Sequence, residues 1–419
     1  MVDSPEYLNE AKNIHNYGKF YCGELEKTIN PDYYTKRPPI YPLFIASLKL
    51  ISQSDLLIIL VQSIISILSI LIIRKTFIRI GYDTNYDRLF ILLLILSPAQ
   101  LIYANLIMSE IIFQFILALA FYYIVRYLFE INLKYLLFFS LLIILSALTK
   151  PVMYLFVYPL FIVTIYLSFK NKSFRPFLIG IIPIVIIQFY SYWNYKRTEY
   201  WTFSSIQSIN LVQYNTYYFN VQRFGSEKAN MFLDNQINQS NTIEGYPQKK
   251  RFLVNSSKQT IKGDIIGYMW FHTKGMLRFF IDPGRFDLSN FFGLESKGNV
   301  GFLNYLNNSG IRGTINYLLE QNIWLIISLI AVGIFNIIKL LGLFLFLIHK
   351  SIDVKIRLIV FVIIGYVTFA TGPLGASRFA MPFIPIIIFS TLIAMSRLEI
   401  FWNKSLKKYN TFRNTLFIP

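Results

Sequence analysis

Cysteine is nearly absent from this chain: Cys22 is the only one in 419 residues. A single cysteine forms no internal disulfide and no Cys-rich metal centre. Histidine is almost as scarce. His15, His272 and His349 lie far apart, and no Cys/His cluster has metal-ligand spacing. The pattern specifies no cofactor and no metal, although two carboxylates introduced below could hold a divalent cation. Charge of either sign is sparse, at 15% of residues, where a soluble domain is nearer about one quarter. Acid is the scarcer sign: 22 Asp and Glu face 40 Lys and Arg, a formal net charge of +18. In so apolar a chain that excess belongs first to lipid-facing and cytoplasmic Lys/Arg. No nucleic-acid fold signal accompanies it, so nucleic acid is not an expected partner. No internal repeat stands out. Residues 1–35 lack the apolar core of a signal peptide.

What the chain has in excess is hydrophobic residues, 55% of the total, with a mean hydropathy of +0.48. Long apolar runs recur, which predicts an all-α polytopic membrane protein. Nine segments are expected to span, at 56–73, 88–108, 111–129, 135–149, 151–169, 176–193, 322–348, 356–372 and 379–396. Residues 40–51 are apolar but too short to cross, and read as a juxtamembrane helix. Lys339 interrupts one run; a tilted helix with this lysine snorkelling or facing protein accounts for it. The chain divides into a first loop (1–55), a membrane block (56–193), a large loop (194–321), a second membrane block (322–396) and a basic tail (397–419). The large loop is aromatic and basic, and 261–281 reads as an amphipathic helix lying on a leaflet.

Orientation follows from the short connections. Arg74, Lys75 and Arg79, then Lys134, then Lys170, Lys172 and Arg175, then Lys350, Lys355 and Arg357, and finally the tail fall on one side if nine spans alternate. The positive-inside rule makes that side cytoplasmic. The first and large loops, Glu110, Lys150 and Arg378 then lie outside. An outside N-terminus also predicts a further helix ahead of residue 1.

Nearly every noteworthy polar residue is therefore expected at one membrane face: Asp3, Glu6, Glu110, Lys150 and Arg378. A carboxylate base beside cationic phosphate clamps is what transfer from a lipid-borne phosphate requires. Each residue has a plainer reading. Glu110 could favour the dipole of its helix, Lys150 could snorkel, Arg378 could anchor a helix end, and Asp3 could be frayed at a terminus.

The order of these residues resembles a known group. Asp3-x-x-x-Tyr7-x-x-x-Ala11 and Arg37-Pro38-Pro39-x-Tyr41-Pro42 look like the first outer loop of GT-C fold glycosyltransferases. That branch includes protein O-mannosyltransferases, lipid A aminoarabinose transferases and lipopolysaccharide galacturonosyltransferases. Ser109-Glu110 is similar to its second acidic motif, Leu148-Thr149-Lys150-Pro151 to its L-x-(R/K)-P turn, and Ser377-Arg378-Phe379-Ala380-Met381-Pro382 to its R-(Y/F)-x-x-P signature. The resemblance implies a GT-C-like helical bundle with outer juxtamembrane helices and a large periplasmic loop, in a bacterial inner membrane. It implies a polyprenyl-phosphate sugar donor and a glycolipid, lipopolysaccharide or protein acceptor. Carried over by position, Asp3 is the catalytic carboxylate and Glu110 the second acid. Arg37 contacts the donor phosphate, with Lys150 and Arg378 in support. Glu6, Tyr7, Trp270, His272 and Lys274 are substrate-loop candidates. In that family a membrane helix immediately precedes the Asp, which again predicts a helix ahead of residue 1. Two other classes fit the composition: a polysaccharide polymerase or ligase, and a transporter or flippase. The second would place ionisable residues and broken helices near the midplane.

Overall fold

The structure, a computed structural model, describes residues 3–294 and 320–399, with 312–313 and 315–317 between them. The basic tail beyond Glu399 lies outside the described residues. All regular structure among the described residues is helical. Among the described residues, seven helices are long and apolar enough to cross a membrane, or eight if one bent pair counts as a span. The chain is a multi-pass helical membrane protein.

Helix α1 (Ser4–Tyr17) and α2 (Ile40–Lys49) precede the bundle. The helix α3 (Asp55–Ile80) follows, with Ser54 capping the Leu56 amide and Gly81 closing it in the left-handed region. Next come α4 (Asp87–Ile95), α5 (Pro98–Ala104), α6 (Glu110–Glu130) and α7 (Leu133–Thr149). A tight turn over Pro151–Phe156 leads into α8 (Val157–Lys170), and α9 (Arg175–Thr198) follows.

Two expected spans come out differently. The run at 88–108 is not one helix. It breaks between α4 and α5 with a bend of 69°, because Pro98 has no N–H to continue the ladder and its ring clashes with the preceding turn. The run at 135–149 does form α7, but with 17 residues it is shorter than the seven that qualify. Lys339 faces protein rather than snorkelling: it is buried, and its Nζ donates to Ser97 Oγ (2.7 Å) at the break.

The large loop is helical. Ile206–Ile209 (α10) continues through a wide turn to α11 (Tyr217–Phe224), α12 (Ser226–Asn241), α13 (Tyr246–Lys262), α14 (Ile265–Ile281) and α15 (Arg285–Phe292). The expected amphipathic helix starts four residues late, at Ile265, because Asp264 caps the Gly267 amide and 261–262 belong to α13. Its Phe271, Gly275 and Phe279 are buried, whereas Ile266, Met269, Trp270 and Leu277 are exposed. This loop docks on the first segment: Ser204 Oγ and Ser205 Oγ donate to the Lys36 and Asp32 carbonyls, and Lys250 pairs with Asp32 at 2.7 Å.

The bundle closes with α16 (Ile323–Ile348), α17 (Val354–Thr371) and α18 (Ser377–Glu399). The apolar window of α18 is 78% buried and that of α6 61%, against 28% for α3 and α16. So α18 and α6 form the centre. Phe389 of α18 stacks on Phe90 and Phe77, with Tyr82 edge-on. Gly342 of α16 lies against Thr391, where a Cβ would clash. Both central helices begin at the same end with a charged residue, Glu110 on α6 and Arg378 on α18. At the far end of α6, about 30 Å away for 21 residues at 1.5 Å each, Arg79 and Arg126 pair with Glu130.

Candidate functional site

The site is assembled on α1. Asp3, Glu6, Tyr7 and Glu10 recur at helical spacing, so one face of α1 carries all four. Asp3 stands at the N-cap but makes no capping hydrogen bond; its carboxylate is taken by arginines instead. Arg37 Nη2 donates to Asp3 Oδ1 at 2.6 Å and Arg37 Nε to Glu6 Oε2 at 2.7 Å. The guanidinium lies over the Tyr7 ring, 4.8 Å from its centroid. Pro38 and Pro39 fix the chain just after Arg37, Pro39 serving as the N-cap of α2. Tyr7 in turn shares a hydrogen bond with Ser109 (3.1 Å), which ties α1 to the start of α6.

Arg378, at the first turn of α18, joins the two halves. Its Nη1 donates to Asp3 Oδ2 at 2.6 Å and its Nε to Glu110 Oε1. Glu110 is fully buried and also accepts from Lys150 Nζ at 2.9 Å. Lys150 is itself buried, with Phe113 and Phe379 rings beside its ammonium, so it does not snorkel. Lys36 completes the series on Glu6 at 2.5 Å. The charges alternate as Lys36, Glu6, Arg37, Asp3, Arg378, Glu110, Lys150: four cations and three carboxylates, a net charge of +1. Glu110 holds Arg378 and Lys150, not Arg37.

Burial alone would raise the Asp3 pKa, but the Arg378 and Arg37 guanidiniums outweigh it and hold the carboxyl well below its ordinary range. Arg37 stays charged for the reciprocal reason: Tyr7, Asp3 and Glu6 together overcome its burial. Lys150 is pushed down by burial and by the like charge of Arg378, against the pull of Glu110. Glu10 is the exception on α1. It is 1% exposed, its Oε2 has no partner among the described residues, and burial pushes its pKa well up.

One flank of the network opens on a cavity of about 610 Å³. Ile326, Leu329, Ile330 and Gly333 of α16 form its apolar wall, and Arg278, Arg285 and Arg378 line it as well. Asp282, just past α14, and Asp287 of α15 also line it and are tied to the start of α18: Asp282 accepts the Ser377 amide at 2.8 Å, and Asp287 accepts Ser377 Oγ at 3.0 Å and Tyr103 OH at 2.8 Å. Sequence reasoning missed Lys36, Tyr103, Asp282, Asp287 and Ser377 as members of the site. An Asp-Pro-Gly turn followed by Arg285 and Asp287 was the available signal.

Asp3, Glu6, Tyr7, Arg37, Glu110, Lys150 and Arg378 come together from segments up to 375 residues apart. Trp270, His272 and Lys274 do not join them. Lys274 lies over the exposed Trp270 ring, and His272 Nε2 bonds the Phe369 carbonyl at 2.9 Å, holding α14 to the end of α17. None of the three shares a hydrogen bond, ion pair or ring contact with the network among the described residues. No group of three His, Cys, Asp or Glu with metal-holding geometry occurs among the described residues, and both candidate carboxylates, Asp3 and Glu110, face Arg378. Comparison with protein-family models, curated proteins and solved structures gives no match.

Proposed function

We propose that the protein is an inverting glycosyltransferase of the GT-C type. It moves a sugar from polyprenyl phosphate to an acceptor hydroxyl at the periplasmic face of a bacterial inner membrane. The observation that carries this reading is the placement of Asp3 between Arg37 and Arg378, with Arg378 also lining a cavity that has an apolar wall. A lipid phosphate matches both parts: its chain fits an apolar wall and its anion fits arginines, whose planar forks pair with phosphate oxygens.

The arrangement has a mechanistic consequence. Both guanidiniums hold Asp3, and a carboxylate so stabilised is a weak base. A phosphate that binds Arg378 competes with Asp3 for it. Asp3 then loses a cation, gains an anionic neighbour, and becomes more basic when the donor is in place. Asp3 takes the acceptor's hydroxyl proton, the acceptor oxygen bonds the anomeric carbon, and the bond from that carbon to the phosphate oxygen breaks. The polyprenyl phosphate leaves as an anion stabilised by Arg37 and Arg378, with no protonating acid required. Glu110 keeps Arg378 and Lys150 in position and holds the local charge near balance.

Asp3→Asn in lipid nanodiscs, supplied with polyprenyl-phosphate sugars, is expected to slow transfer about 10²–10⁴-fold while the protein stays folded. Full transfer by that variant would refute the base assignment. A second reading, a lipid-phosphate flippase, is favoured by one observation: the broken pair α4–α5 with buried Lys339 at the break. Movement of labelled polyprenyl phosphate across vesicles without any sugar transfer would establish it instead.

A further inference from the structure

A second cavity, of about 390 Å³, is lined by residues of the Pro151–Phe156 turn, α8, α9, the segment 200–203, α10 and α13. Small-ligand pockets run from about 300 to 1,000 Å³. Its chemistry is unlike that of the first. Tyr154, Tyr158, Tyr200 and Trp201 supply aromatic rings, and Gln188 and Gln207 supply amides. Of its lining residues none is a carboxylate and one, Lys258, is charged. A pyranose presents apolar C–H faces that stack on aromatic rings, and a rim of hydroxyls that both donate and accept. Glutamine amides are matched to that rim because each carries an acceptor oxygen and two donor hydrogens. The Gln207 Nε2 is buried without an acceptor among the described residues, the condition of a donor awaiting one. Gln188 is held in place by donating to Tyr158 OH at 3.1 Å.

The cavity adjoins the network through two walls. Tyr154 follows Lys150 by four residues and stacks on Phe203, with centroids 5.2 Å apart and planes within 7°. Phe203 leads into Ser204 and Ser205, which bond the backbone of Lys36 and the Thr35 hydroxyl. Trp201 is 54% exposed, with Tyr192 and Tyr195 beside it. Such rings settle at the headgroup level of a bilayer, so the cavity opens where the head of a membrane glycolipid would lie.

We infer that this cavity is the acceptor subsite and that it takes the saccharide headgroup of a glycolipid. The inference rests on the glycosyltransferase reading for the role of the sugar, but not for its binding. The full chain in nanodiscs would be irradiated with a dodecyl maltoside carrying a diazirine on its sugar. Peptides 151–158 and 200–211 are expected to take the label, saturably, and excess dodecyl maltoside but not dodecylphosphocholine should compete. Trp201→Ala and Gln207→Leu should each cut labelling about tenfold, the loss that corresponds to about 1.4 kcal/mol, while Lys274→Ala, outside both the cavity and the network, leaves it unchanged. Labelling insensitive to both pocket variants would overturn the subsite, as would equal competition by dodecylphosphocholine. Protection by a polyprenyl-phosphate sugar would also overturn it, since the cavity would then hold the donor. If Asp3→Asn transfers sugar at full rate while the labelling pattern holds, the transferase mechanism fails and the saccharide site stands.

Discussion

Two acids on one face of α1 have opposite electrostatic fates, and the difference is a matter of partners. Asp3 has two guanidiniums, whereas Glu10 has burial and no hydrogen-bond partner for its Oε2 among the described residues. Asp3 is held below its ordinary value of 3.8, so it stabilises the fold above that pH and loses its contribution as pH falls further. Glu10 lies well above its ordinary value of 4.5. Its contribution is complete below that value and is lost as pH rises through the folded pKa. The Glu10→Gln variant should therefore melt close to wild type near about pH 4 and above it near about pH 8, measured by thermal unfolding in nanodiscs. A melting difference independent of pH would show that Glu10 is not titrating. The spacing of Asp3, Glu6 and Tyr7 was legible in the sequence. Glu10 completes the same helical stripe and was equally readable, but only burial makes it chemically distinct.

At the scale of elements, the position of Arg378 depends on how α14 meets the turn before α18. Gly275 of α14 packs on the backbone of Gly372 and Pro373, and Gly375 packs back on the Gly275 carbonyl, with no room for a Cβ at either place. Asp282, just past the end of α14, then holds the Ser377 amide. Gly275→Ala is expected to push α14 off this turn, costing about 1–3 kcal/mol as overpacking does, and to reduce the proposed sugar transfer although no charge is altered. A normal melting temperature with normal transfer would show the contact to be slack. The apolar runs gave each membrane helix its approximate place. They did not reveal the bend at Ser97-Pro98, because a proline inside a hydrophobic run fits a helix start, a kink or a break until its neighbours are known. Nor did they show that Lys339 would meet Ser97 at that bend.

At the scale of the molecule, ion pairs gather at the two ends of the bundle, and Lys339 is a buried cation between them. One end carries the alternating network, the other Arg79, Arg126 and Glu130. The single cysteine, Cys22, is buried and its thiol is pushed up by burial and by Glu10 and Glu6, so it reacts poorly with thiol reagents. Introduced cysteines can then report sidedness against a silent background. Ser54→Cys and Asn241→Cys are expected to take an impermeant maleimide on intact spheroplasts, whereas Asn171→Cys and Ser351→Cys should react only after permeabilisation. The reverse pattern would place the network on the cytoplasmic side and remove the periplasmic reading.

The sequence by itself determined the class of the molecule. Apolar runs of membrane-crossing length leave helices as the one way to satisfy the backbone in lipid, whereas the helix Ser4–Tyr17 that puts Asp3, Glu6 and Tyr7 on one face lies in a segment the sequence showed only as a loop. Only the tertiary structure decided which charges meet. Asp3 and Arg378 are 375 residues apart, and no local rule joins them. Their pairing follows from the packing of α1, α6 and α18 at one end of the bundle, where a buried charge is tolerated only if another comes to neutralise it.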